Sequence, residues 1–171
     1  DTSVEALGTA VIEATDNCDG NLEPQLVIVD GPVEASCEGS YIFTRTFSVS
    51  VTDHCGNTSE ASCEQVISVE DTSAPTMEAA AMDALVECDG DGNQTELDAW
   101  LASNGGAMAS DGCSEVTWSN DFAELSDDCG ATGAATVTFT ATDNCGNSTS
   151  TTATFTIEDK TAPALTESID A

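Results

Sequence analysis

The chain has 171 residues, with 32 acidic side chains against 2 basic ones, and carries a formal net charge of −30. This charge repels nucleic acid and anionic membranes, so neither is expected as a partner. No stretch approaches the roughly 18 to 20 apolar residues of a membrane span and no signal peptide is present, so we expect a mature or excised fragment that does not insert into membranes.

The apolar residues are mainly Val, Ile, Ala and Leu interleaved with Thr and Ser, a mixture typical of strands with one buried face. Val137, Phe139 and Ala141, for example, alternate with threonines at a period of two. A helix of one or two turns is expected at 95–103, where Leu97, Trp100 and Leu101 share a face. The predicted strands, in chain order, are 8–16, 24–31, 41–53, 63–71, 83–88, 115–122, 135–143 and 151–159.

One short motif occurs twice: Thr-Asp-x-Cys-Gly-Asn ends at Asn57 and again at Asn147. Other landmarks match in the same order, and they are Cys18 with Cys113, Cys37 with Cys129, and the Ala-Pro pairs ending at Pro75 and Pro163. A catalytic site is normally built once, whereas a structural unit can be copied. We therefore predict two modules, 1–75 and 76–163, with 164–171 beginning a third or acting as a donated strand, and with the first strand of 1–75 missing or supplied by a neighbour.

Eight cysteines form an even set, and they are Cys18, Cys37, Cys55, Cys63, Cys88, Cys113, Cys129 and Cys145. No Cys-x-x-Cys pair occurs, and the single histidine, His54, completes no zinc-binding spacing. Disulfide bonds in an oxidising compartment are the better interpretation, which makes the protein secreted, either extracellular or on a cell surface.

The stretches "ATDNCDG" and "SCEGSYIFTRTFSVSVTDHCGNTSEASCEQVISVEDTSAP" resemble the hyalin-repeat (HYR-like) modules of secreted bacterial surface proteins. The resemblance implies an all-β chain of two tandem immunoglobulin-like antiparallel β-sandwiches, disulfide-linked, with one short helix in the second. It also implies service as a stalk, spacer or adhesive surface. The second copy departs from the first, because it has no match for Cys63, has Cys88 instead, and contains the inserted helix.

Four cysteines per copy allow three connectivities, among which the sequence does not choose. We expect Cys18 to pair with Cys37 and Cys113 with Cys129, because these occupy matched places. The matched Cys55 and Cys145 then need different partners, which are Cys63 and Cys88, respectively.

The acidic loop 88–98 is the best metal candidate, because Asp89, Asp91 and Asn93 alternate like the first oxygen ligands of a calcium loop. Glu96 or Asp98 would close the shell. The loop departs from the EF-hand pattern at Gln94 and Trp100, which stand where Gly and the closing Glu belong. The alternative is an acidic turn that caps the following helix.

A second calcium hypothesis concerns the joints between modules, where Glu70 and Asp71 in one copy correspond to Glu158 and Asp159 in the other. With Asp53 or Asp143 from turns expected nearby, these carboxylates would share an ion that stiffens the joint. The alternative is an acidic pair that ends a strand and stays solvated.

No catalytic constellation is recognisable: the sequence has no Gly-x-Ser-x-Gly, no phosphate loop and one histidine. We therefore expect no enzymatic activity. The favoured function is the repeat unit of an extracellular stalk or filament, whose partners are copies of itself, head to tail, or adjacent modules of the same chain. The alternative is an adhesin or an accessory module that binds a carbohydrate or protein near Trp100 and Trp118.

Overall fold

A computed structural model of the chain describes residues 12–165, in which strands predominate and one α-helix is present. The chain divides into two compact units, Asp1–Asp71 and Thr72–Ala171. No helix in the described part is long and apolar enough to cross a membrane. The predicted all-β character is therefore confirmed, together with the single short helix.

The first unit is organised around one long hairpin, in which the residue pairs run from Thr52 opposite Thr58 to Tyr41 opposite Val69. The strands are β1 (Ala14–Asp16), β2 (Gly20–Leu22), β3 (Gln25–Asp30), β4 (Glu34–Cys37), β5 (Ser40–Thr52) and β6 (Thr58–Val69). The long hairpin consists of β5 and β6, β3 and β4 share the other edge of β5, and β1 and β2 form a separate small hairpin.

The elements of the second unit are β7 (Thr76–Ala79), β8 (Ala84–Glu87), α1 (Gln94–Ala102), β9 (Met108–Ser110), β10 (Thr117–Asn120), β11 (Gly133–Thr142) and β12 (Ser148–Glu158). The long hairpin recurs as β11 and β12, which run from Thr142 opposite Ser148 to Gly133 opposite Ile157. The four-stranded sheet has the order β10-β11-β12-β8, in which β8 lies parallel to β12, and β7 pairs with β9.

The apolar core of the second unit lies between the β11–β12 hairpin and helix α1. Val137 and Phe139 are fully buried on β11, as the alternating pattern predicted. Leu97 and Trp100 cover them from α1, and the Trp100 ring meets the Phe139 ring edge to face at 5.2 Å. The helix thus closes the sheet face that the strand pattern leaves apolar.

The corresponding face of the first unit is open. Leu26 pairs with Val49 and Ile28 with Phe47, so these four side chains share one sheet face. Leu26 is 40% and Ile28 51% exposed, and within residues 12–71 only Ser40 is buried. The described part of this unit contains no helix that could cover the face as α1 does in the second unit.

Candidate functional site

The repeated motif forms the tips of the two long hairpins. The Asn147 backbone N–H and side-chain amide both donate to the Asp143 carboxylate, each at 2.8 Å. In the first unit Asn57 donates to Asp53 in the same two ways, at 2.7 and 2.6 Å. The identical spacing of Asp and Asn in the sequence is therefore a hairpin-closing device.

Glycine in the motif has a conformational reason. Gly56 and Gly146 adopt φ values of 90° and 91°, a region that side chains with a Cβ rarely occupy. The N–H of each glycine donates to the backbone carbonyl of the motif Asp. The motif thus specifies its turn through three residue types, while the position between Asp and Cys is free to hold His54 or Asn144.

The tips hold ionised carboxylates. Hydrogen bonds from the Asn57 side chain and backbone lower the pKa of Asp53. Burial alone would raise the pKa of Asp143, but the donors from Asn147, Cys145 and Gly146 outweigh it and lower the pKa. Both aspartates are therefore anionic at neutral pH, although Asp143 is only 5% exposed.

A second turn packs against each tip. In the first unit the β1–β2 turn contacts it through Asp19, whose carboxylate accepts the His54 N–H at 3.0 Å and approaches the His54 ring nitrogen at 3.2 Å. In the second unit Ser114 takes the matching place, accepting the Asn144 N–H at 3.1 Å. These turns are themselves closed by Asp16 and Asp111, whose Oδ1 atoms each accept two backbone N–H groups.

The chain enters the second unit at the tip end of the hairpin and leaves at the far end. Thr76 pairs with Ser110, which directly precedes the turn that contacts the tip. From there β8 runs parallel to β12 until Glu87 lies opposite Glu158. The departing chain is held at this far end, where the Glu87 carboxylate accepts the Lys160 N–H and the Thr161 hydroxyl.

The described part of the first unit has a turn at the tip and its chain exit at the far end, as the second unit does. Its β1–β2 turn lies at the hairpin tip, and its last strand ends beside the start of β5, where Tyr41 pairs with Val69. The Asp71 N–H donates to the buried Ser40 hydroxyl at 2.7 Å, which fixes the departing chain there. Eleven residue steps of β6, at about 3.3 Å each, place the tip and this far end roughly 36 Å apart.

The calcium candidate 88–98 is a loop in which two of the predicted ligands, Asp89 and Asn93, accept hydrogen bonds from the loop's own backbone. Asp89 Oδ1 accepts the N–H groups of Asp91 and Asn93, and these bonds lower the pKa of Asp89. Asn93 is 2% exposed, accepts the Asp89 N–H and donates to the Glu87 carbonyl. Two of the predicted ligand side chains, Asp89 and Asn93, are therefore already hydrogen-bonded within the loop. Asn93 precedes the first residue of α1 but makes no side-chain capping hydrogen bond to the helix, so the alternative of a helix-capping turn is not borne out by this residue.

The other predicted ligands of this loop lie on α1, where Asp98 accepts a hydrogen bond from the Gln94 amide and Glu96 occupies the first turn. The helix begins one residue earlier than the predicted Thr95, directly after Asn93, whose φ is 50°. A calcium ion at this loop stays a prediction.

Within each unit the joint carboxylates lie at the opposite end of the hairpin from the tip carboxylates, and an ion shared at a joint between modules stays a prediction. Asp53 lies at the tip and Glu70 follows the last residue of β6, at the opposite end of that strand. Asp143 and Glu158 are separated by β12 in the same way. At the far end of the second unit, Glu158 instead pairs with the Lys160 ammonium, and the Asp159 carboxylate accepts the Thr161 N–H.

The strand register also corrects the predicted cysteine pairs, since disulfide bonds need Cα atoms about 4.4 to 6.8 Å apart. Cys55 lies at the hairpin tip, whereas Cys63 is opposite Phe47, five residues along β6 from Thr58. Cys18 lies beside the same tip, whereas Cys37 pairs with Ser40 at the far end. Both predicted pairs of the first unit join positions well over 10 Å apart and are wrong.

The predicted disulfide pairs of the second unit are wrong for the same reason. Cys145 is at the hairpin tip, but the Cys88 N–H donates to the Glu158 carbonyl at the far end. Cys113 precedes Ser114 at the tip, but Cys129 lies in the turn before β11 begins at Gly133. The free thiols in the structure are Cys18, Cys55, Cys63, Cys88, Cys113 and Cys129, so Cys37 and Cys145 are not among them.

The two tryptophans named for the alternative binding function belong to the core. Trp100 is 8% exposed, and its indole N–H donates to the Met82 carbonyl at 3.0 Å. Trp118 is half-buried on β10 and packs against the same cluster. Trp100 therefore presents no open ring face of the kind that stacks on a sugar, and Trp118 is partly covered by the core cluster.

Comparison with known proteins adds no assignment. No family model matches the chain, and no curated protein matches its sequence at a significant level.

Proposed function

We propose that this chain is a non-catalytic structural segment of a secreted protein, in which immunoglobulin-like modules related to HYR repeats are joined head to tail into a stalk or filament. The observation that carries the proposal is the polarity of the second unit, where the chain arrives at the hairpin tip and departs at the far end, and the first unit likewise releases the chain at its far end. A module of this construction adds its own length to an array, whereas a module whose ends lie together does not.

The duplicated tips support the same proposal. In each tip the carboxylate of the motif aspartate, Asp53 or Asp143, accepts hydrogen bonds from backbone amides of the same turn. Residues that occur twice with the same hydrogen bonds maintain an architecture. The site of a reaction would be expected in one copy only.

The open face of the first unit fits a junction between neighbours. In the second unit the equivalent face is covered by Leu97 and Trp100 of α1, and β8 extends the sheet beside β12. A neighbouring copy or module that supplies such a segment would bury Leu26 and Ile28 and pair an exposed edge. The predicted donated strand at 164–171 falls mainly on residues 166–171, which lie outside the described residues, as does the start of module 1–75.

Electron microscopy of the native polypeptide, with calcium and with a chelator, tests the proposal. Linear particles one module wide are expected, and loss of their straightness in chelator would add the predicted calcium to the joints. Compact particles in both conditions would contradict the proposal. A glycan array run on the same sample decides for the adhesin alternative if it gives saturable binding.

A further inference from the structure

The hairpin tip of the first unit brings two free cysteines into neighbouring turns. Asp19 accepts the His54 N–H at 3.0 Å, and its other carboxylate oxygen is 3.2 Å from the His54 ring nitrogen. Cys18 immediately precedes Asp19, and Cys55 immediately follows His54. Both cysteine side chains are exposed free thiols, so neither is committed to core packing.

The other cysteines of this unit are out of reach of Cys18. Cys63 lies within β6 opposite Phe47, and Cys37 lies at the end of β4 beside Ser40, at the opposite end of β5 from the tip. Since a disulfide tolerates only about 4.4 to 6.8 Å between Cα atoms, strand register alone excludes both from bonding to Cys18. Cys55 remains as the neighbour within the unit.

The same arrangement of turns occurs in the second unit. Ser114 accepts the Asn144 N–H at 3.1 Å, so the turn that follows Cys113 contacts the tip that carries Cys145. A contact that recurs in both copies, between a Cys-containing turn and a Cys-containing tip, belongs to the architecture of the module.

The geometry points to a disulfide bond between Cys18 and Cys55, which fastens the β1–β2 turn to the tip of the β5–β6 hairpin. The two thiols are oxidised by a low-molecular-weight disulfide or an oxidoreductase disulfide in an oxidising compartment. One S–S bond forms between Cys18 and Cys55 while the oxidant's S–S bond is reduced, and the oxidant's two thiols take up the two protons.

The bond would matter because β1 and β2 are short strands that pair only with each other. The Asp19–His54 contacts described between the turn and the tip are a hydrogen bond and a close approach of carboxylate and imidazole, and both are exposed. A covalent link holds the turn in place without relying on these exposed polar contacts, and it does not depend on the proposed array function.

Peptide mapping tests this assignment on the whole chain. The protein is oxidised in a glutathione redox buffer, alkylated without reduction, and digested at acidic pH with a protease that cleaves after glutamate. Because Glu23 precedes Pro24, this digestion places the four cysteines of the unit on separate peptides, which are 14–34, 35–38, 39–60 and 61–64. The expected product is 14–34 joined to 39–60, which separates on reduction.

Variants sharpen the result. Cys18→Ser should expose Cys55 to complete alkylation, while the matched variant Cys63→Ser should leave the 14–34 to 39–60 link unchanged. The assignment is overturned if the wild-type digest joins 14–34 to any other peptide, or if Cys18 and Cys55 are both alkylated in the oxidised protein. The wild-type digest alone decides the matter if Cys18→Ser fails to fold.

Discussion

Asp143 and Asn147 close the β11–β12 hairpin with two hydrogen bonds of 2.8 Å, and Asp53 and Asn57 repeat the pair in the first unit. The two aspartates differ in burial, because Asp143 is 5% exposed whereas Asp53 is half-exposed. The same motif therefore contributes differently to the two units.

Replacing Asp143 by alanine removes the acceptor for several N–H donors at a buried turn. We expect Asp143→Ala to lower the melting temperature of the second unit by roughly 4 to 8 °C. Asp53→Ala is the matched control and should shift its own unit less. Differential scanning calorimetry measures both, and a larger shift for Asp53→Ala would show that burial does not set the cost.

The hydrogen-bonded Asp143 carboxylate should make the second unit less stable in acid. The pKa of Asp143 is lowered on folding, so its contribution is present above the ordinary carboxylate value of 3.8 and is lost as pH falls through the lower folded value. Loss of negative self-repulsion works in the opposite direction as acid is added, because the chain carries a net charge of −30.

The two effects separate in a pair of variants with equal charge. Asp143→Asn and Asp127→Asn each remove one carboxylate, so they relieve self-repulsion equally. Asp143→Asn should lose less stability between pH 5 and pH 3 than the wild type, whereas Asp127→Asn should follow the wild-type profile. Urea titrations measure the free energy of unfolding of all three proteins at each pH. If it changes with pH in the same way in all three, the Asp143–Asn147 pair has no role in acid sensitivity.

Trp100 anchors α1 on the sheet, with ring contacts to Phe139 at 5.2 Å and to Phe155 at 5.5 Å. Trp100→Ala should cost about 3 to 5 kcal/mol of unfolding free energy, because it leaves a cavity at the centre of the core. Trp100→Phe keeps most of the volume and loses the hydrogen bond to Met82, for about 1 to 2 kcal/mol.

Urea unfolding monitored by far-ultraviolet circular dichroism measures these differences, with Trp118→Phe as the control at the half-buried tryptophan. An ordering in which Trp118→Phe costs more than Trp100→Ala would contradict the assigned core.

Gly105 lies in a short 3-10 turn after α1 with a φ of 64°, and it is buried beneath the helix. A Cβ atom there would approach Phe139 Cε2 at 3.2 Å and Ala81 Cβ at 3.1 Å. Gly105→Ala should therefore destabilise the second unit by about 1 to 3 kcal/mol.

Gly106→Ala is a matched test, because Gly106 also has a positive φ but is exposed and faces the flexible end of Met82 at 3.3 Å. If both variants lose the same unfolding free energy, the cost comes from backbone strain alone and the close contacts around Gly105 do not add to it.

Much of the fold could be predicted from local patterns. The alternation of Val137, Phe139 and Ala141 predicted a strand with one buried face, and the spacing of Leu97, Trp100 and Leu101 predicted α1. The short strands β2, β4, β7 and β9 were missed, because each has three or four residues and no apolar alternation. Their positions depend on partners far along the chain.

The cysteine pairs could not be predicted for a physical reason. Matching Cys18 with Cys37 used order along the chain, but proximity depends on which end of a long hairpin each residue occupies. Asn93 was predicted as a metal ligand from its place in an alternating acidic loop. In the structure its side-chain amide is buried and hydrogen-bonded to the Asp89 and Glu87 backbone. The sequence of the loop alone does not predict this structural role.

The separation between the points where the chain enters and leaves one unit tests the central claim most directly. Spin labels on noncanonical amino acids at positions 76 and 159, which avoid the native cysteines, allow pulsed dipolar spectroscopy on the whole chain. The polarity of the second unit predicts a single distance distribution centred at roughly 35 Å, about the length of β12. A distribution centred below about 20 Å would place both ends of the module together and contradict its use as a length-adding element.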